Sequence, residues 1–81
     1  MGADPDIWVD LNSEDDTGLP WTYLHEARQP SKIVPGSYVV AGSSAALAVA
    51  RVVDVGEDGL VHLEPLPGPV GTHAHLLRTS A

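Results

Sequence analysis

Leu47-Ala48-Val49-Ala50-Arg51-Val52-Val53-Asp54-Val55, then Gly56-Glu57-Asp58-Gly59, then Leu60-Val61-His62-Leu63-Glu64: this stretch decides the fold. Ala45 to Ala48 alone suits a helix by propensity. The β-branched residues Val49, Val52, Val53 and Val55 instead predict a strand from about Ala48. The glycine-bearing tetrapeptide predicts a hairpin loop, and Leu60 to Glu64 a second strand. If Val55 pairs with Leu60, Val53 faces His62 and Arg51 faces Glu64. That register sets opposite charges across the strands on one face, worth about 0.2–1 kcal/mol.

Outward from the hairpin, the chain keeps to short elements. Pro35-Gly36 is a turn signal, Ser37 to Ala41 is strand material, and Gly42-Ser43-Ser44 closes it. Asp6 to Leu11 alternates, with Ile7, Val9 and Leu11 on one face and Trp8 and Asp10 on the other, which predicts a half-buried strand. Trp8 is thereby turned outward and needs cover from a loop or a partner. Pro20 suits a first helical position, Trp21, Leu24 and Arg28 follow at helical spacing, and Pro30 ends the run, so a short helix is predicted over about residues 20–28. Pro65, Pro67 and Pro69 bar a central strand after Glu64. Residues 69–77 read either as a helical turn carrying Val70, Ala74 and Leu77 or as a closing strand, and the turn is preferred.

The chain has 81 residues and no cysteine, which leaves room for one domain and excludes a disulfide framework or a cysteine zinc site. Residues 1–5 and 79–81 are expected to be tails, and 6–78 the domain. The fold class expected is mainly β: a small antiparallel barrel of four to five short strands with one short helix. Pro35-Gly36-Ser37-Tyr38-Val39-Val40-Ala41-Gly42, followed by Ala50-Arg51-Val52-Val53-Asp54-Val55, resembles the SH3-like barrels of the KOW type, in which a Gly-x-x-Val-x-x-Gly element precedes a Val-rich strand. The resemblance covers roughly residues 35–64 and implies the SH3-like barrel fold. It departs where that family carries basic contact residues, so it implies no function. The Val-, Ala- and Gly-rich composition is also similar to short actinobacterial open reading frames, a likeness that implies no activity.

The formal net charge is −7, concentrated in residues 1–16, which hold six acids and no Lys or Arg. Only Arg28, Lys32, Arg51 and Arg78 are basic, which argues against binding to nucleic acid or to an anionic membrane. No apolar run reaches bilayer length and the start lacks a signal-peptide pattern, so a cytoplasmic location is expected. Met1-Gly2 opens like a myristoylation motif, but Asp6 stands where Ser or Thr is needed.

Few residues suggest chemistry. Asp10 to Asp16 has oxygens at alternate positions as in a calcium loop, yet Asp15 stands at the glycine position and Trp21 at that of the bidentate Glu. Gly42-Ser43-Ser44-Ala45 is not a nucleophile elbow, and no glycine motif for phosphates or dinucleotides occurs. No enzyme activity and no cofactor are expected. His73 and His75 are the metal-ligand candidates, with His62 as a third if the strands adjoin; on a helix the pair would diverge.

The aromatic residues point to binding. Trp8, Trp21 and Tyr23 are the partner-binding candidates, suited to gripping a proline-rich or extended peptide. The structural alternative is that Trp21 caps the barrel and Trp8 covers the helix. The expected function is a non-enzymatic module that docks a protein partner, or a second copy of itself. A metal- or small-ligand-binding protein using His73 and His75, and an acidic mimic of nucleic acid, are the alternatives.

Overall fold

In a computed structural model of the chain, which describes residues 5–43 and 46–79, five strands form one sheet. They are β1 (Ile7–Trp8), β2 (Trp21–Tyr23), β3 (Tyr38–Ser43), β4 (Ala46–Val55) and β5 (Leu60–Pro65). The spatial order is β1-β3-β4-β5-β2. Most of each expected tail, and the Ser44 end of the turn expected after β3, lie outside the described residues.

The sheet curls until its outer strands approach each other. Ile7 bridges Ala27, the Arg28 N–H donates to the Asp6 carbonyl at 2.9 Å, and the Thr22 hydroxyl donates to the Trp8 carbonyl at 2.9 Å. The result is a nearly closed β-barrel, which leaves little strand edge exposed. One pairing departs from the antiparallel expectation: β1 runs parallel to β3, with Ile7 opposite Ala41.

The Asp6 carboxylate holds this parallel pair. Its Oδ2 accepts the Val40 N–H at 2.8 Å and its Oδ1 meets Lys32 Nζ at 3.4 Å, while the Asp6 backbone N–H donates to the Val40 carbonyl at 2.7 Å. Asp6→Ala is therefore expected to cost about 1–2 kcal/mol in urea unfolding, because a partly buried strand N–H loses a charged acceptor. Asp6→Asn, which keeps an acceptor oxygen, is expected to cost less; equal losses would refute this role.

The alternation in the sequence fills the barrel. Ile7, Val9, Val39, Ala41, Ala50, Val52, Val61 and Leu63 point inward and are buried, joined by Ala27 and Ile33. Val49 is buried too, although it alternates with inward Ala50. A C-terminal cap lies against this part of the sheet: a 3-10 turn (Val70–His73) approaches β4, and helix α1 (Ala74–Thr79), which follows it, approaches β3. The unbroken apolar run Ala48-Val49-Ala50 thus reflects cover on both faces. The expected helical reading of residues 69–77 holds.

The helix expected over 20–28 is not formed. Trp21–Tyr23 is a strand paired with β5, and only Leu24–Glu26 turns, as a single 3-10 turn. Two aromatics around β-branched Thr22 favour a pleated strand. Thr22 points inward with 8% exposure while its neighbours face out, an alternation of period two. An isolated helix of two turns has little stability of its own, so the strand ladder prevails.

The hairpin forms as expected, with one change of register. Arg51 lies opposite Glu64, and their side chains meet at 3.2 Å. Nearer the loop, Val55 pairs with Val61 and Asp54 with His62, because Val53 bulges out of the ladder. The expected pairs Val55–Leu60 and Val53–His62 are therefore shifted by one residue. Gly59, at φ 84°, supplies the left-handed residue that ends the loop.

Candidate functional site

The outer surface along β5 and β2 gathers two groups of side chains. The first is centred on His62. Its Nδ1 lies 2.8 Å from Asp54 Oδ1 and its Nε2 lies 2.6 Å from Asp15 Oδ2. The bulge at Val53 is what sets Asp54, in place of a valine, across from His62. Asp15 arrives from the loop between β1 and β2, where its Oδ1 accepts the Thr17 N–H at 2.9 Å and the Thr17 hydroxyl, and where its carbonyl accepts the Gly18 N–H. The acidic loop is thus an Asx-turned segment latched to the barrel through one imidazole.

The electrostatics follow from these contacts. The Thr17 hydroxyl, then His62 and the Thr17 N–H, lower the Asp15 carboxyl from its ordinary 3.8 to about 2. Asp15, and then Asp54, raise His62 above its ordinary 6.5, against the opposing effect of burial. With both nitrogens donating, the imidazolium bridges two carboxylates by charge-assisted hydrogen bonds. This arrangement holds a loop in place. Sequence reading placed His62 with the metal candidates and Asp15 in a calcium pattern; the partnership between them spans 47 positions and left no local signal.

The second group is aromatic. Trp21 and Tyr23 project outward from β2, and their rings meet edge to face with centroids 5.6 Å apart. His25 continues the row, its ring parallel to Tyr23 at 5.6 Å. Its Nε2 is 3.3 Å from Glu26 Oε1, and Glu26 also lines a shallow open groove with Pro5, Trp8 and Arg28. Trp8 thus joins the row through Glu26. The structure brings Trp21 and Tyr23 side by side on β2, with Trp21 set across from His62 on β5, and places Trp8 in the adjoining groove rather than in ring contact with them.

No protein-family model, curated protein or solved structure matches the chain. The site therefore rests on its own geometry.

His73 and His75 sit apart from both groups. His73 belongs to the 3-10 turn, where its Nε2 lies 2.7 Å from the Pro67 carbonyl, and His75 lies exposed on α1. The structure does not bring His62 to them: both of its nitrogens face carboxylates. Among the described residues, no set of three or more His, Asp or Glu side chains is arranged to hold a metal ion. Among them also, no helix is long and apolar enough to cross a membrane.

Proposed function

We propose that the chain is a non-enzymatic protein-interaction module, an SH3-like barrel that docks a protein partner in the cytoplasm through Trp8, Trp21 and Tyr23. The observation that carries this reading is the position of Trp8. Trp8 is 50% exposed and borders a groove, while the core beneath it closes around Ile7 and Val9 without it. Exposed aromatic rings grouped on one surface are the usual anchors of protein interfaces, since they bury large area at little cost in side-chain entropy. Tyr23, 44% exposed, stands beside Trp21 on β2.

The test is affinity capture of the tagged chain from its native host, with mass spectrometry of what co-purifies, comparing wild type and Trp8→Ala. The expected result is a specific protein lost in the variant, by about tenfold or more. The unfolding free energy should change by no more than about 0.5 kcal/mol, as for a surface substitution. Equal loss of association and of stability would instead make Trp8 part of the core.

A further inference from the structure

We propose that the segment received by this surface is an extended strand carrying arginine side chains, a reading that rests on the docking function above and specifies its partner. The first support is spacing. Trp21, Tyr23 and His25 stand at alternate positions, with successive ring centroids 5.6 Å apart. An extended peptide presents same-side groups about 6.5–7 Å apart, close to that repeat. A guanidinium stacks on such rings as both a cation and a flat surface.

The second support is charge. Carboxylates stand near the row around His62 on β5, at the hairpin tip and beside His25, while Arg28 is the base that lines the Trp8 groove. Asp54 and Asp15 flank His62, which lies across from Trp21, and the Asp54 side chain is 61% exposed. The hairpin tip, with Glu57 and Asp58, is tied to the other end of β2 by the Leu24 N–H donating to the Gly59 carbonyl at 2.8 Å. Glu26 lies beside His25. Among the described residues, Lys32 pairs with Asp6 and Arg51 with Glu64, while Arg28 lines the groove beside Trp8 and Glu26. The net charge of −7 repels a second copy of the chain and attracts a cationic segment. Arginine fits better than lysine because its fork engages a carboxylate with two hydrogen bonds while its plane lies on a ring.

Fluorescence anisotropy with three labelled peptides tests this: one alternating arginine with serine, the same peptide with citrulline in place of arginine, and a neutral serine–proline peptide. The arginine peptide is expected to bind, and the citrulline peptide, equal in shape but uncharged, to bind at least about tenfold more weakly. Tyr23→Leu should weaken arginine-peptide binding about two- to fivefold, the size of an exposed cation–π contact, and Tyr23→Phe should restore it. Arginine-peptide binding that survives both Trp8→Ala and Tyr23→Leu would be bulk charge attraction, and would overturn the proposal. Equal binding of the neutral peptides, abolished by Trp8→Ala, would overturn the arginine preference and leave the docking surface standing. If no peptide binds, the arginine preference falls, and the capture experiment alone decides the docking function.

Discussion

Gly42→Ala is expected to lower the unfolding free energy by about 2–4 kcal/mol, combining backbone strain with overpacking. Gly42 lies within β3 at φ 139°, a conformation that side chains rarely adopt. A Cβ there would stand 2.1 Å from the Ala46 carbonyl oxygen and 3.0 Å from Leu47 Cα. Both are backbone atoms, so no rotamer change relieves the overlap and β3 must part from β4. The damage reaches the strand that carries Trp8, because the Gly42 carbonyl accepts the Val9 N–H at 2.9 Å and Gly42 pairs with Trp8 across the parallel ladder. A domain of this size has total stability of about 4–12 kcal/mol, so the loss removes a large share of it. Gly18→Ala is the control. Gly18 also has positive φ, 78°, but nothing lies within 4 Å of its Cβ position, and its loss should stay near about 1 kcal/mol. Urea unfolding of the two variants separates strain from collision, and equal losses would show that Gly42 matters only for its φ.

That glycine marks where the sequence stops being readable. A Gly after Val39-Val40-Ala41 looks like the end of a strand, yet β3 continues through it because its neighbour on β4 approaches too closely for any side chain. The parts set by local chemistry were legible: the hairpin around Gly56–Gly59, the Arg51–Glu64 pair, the inward Ile7 and Val9, and the outward Trp8. The parts set by distant partners were not. Trp21, Leu24 and Arg28 have helical spacing, and only pairing with β5 makes Trp21–Tyr23 a strand. The same change turns Trp21 and Tyr23 from two sides of a helix into one row, a geometry that their helical spacing hides. The bulge at Val53 has no sequence mark either. A β-branched valine is as much at home in the ladder as outside it, and Asp54 reads as a solvated acid until the shift of one residue sets it against His62.

Raising the pH from about 5.5 to 8 is expected to weaken the domain through this histidine. His62 has a higher pKa folded than unfolded, because Asp15 and Asp54 stabilise its charged form. Its contribution is therefore fully present below the unfolded value of 6.5 and is lost as pH rises through the higher folded value. Asp15 behaves in the opposite sense. Its pKa is lowered from 3.8 to about 2, so its contribution is present above 3.8 and lost as pH falls through about 2. The latch is thus strongest between roughly pH 4 and 6.5, where carboxylate and imidazolium coexist, and it weakens on both sides. The His62 side chain is only 13% exposed, so solvent screens its contacts less than those of a surface pair. His62→Gln keeps hydrogen-bonding groups and removes the charge. At pH 5.5 it should lose more than the roughly 0.5 kcal/mol typical of surface changes. Its stability should also be nearly flat between pH 5.5 and 8, where the wild type falls. Amide exchange over residues 13–19 supplies the local readout, since loss of the latch should speed it before the barrel core is affected. If wild type and His62→Gln lose the same stability over that range, another group carries the pH dependence and the loop is held by its own turns.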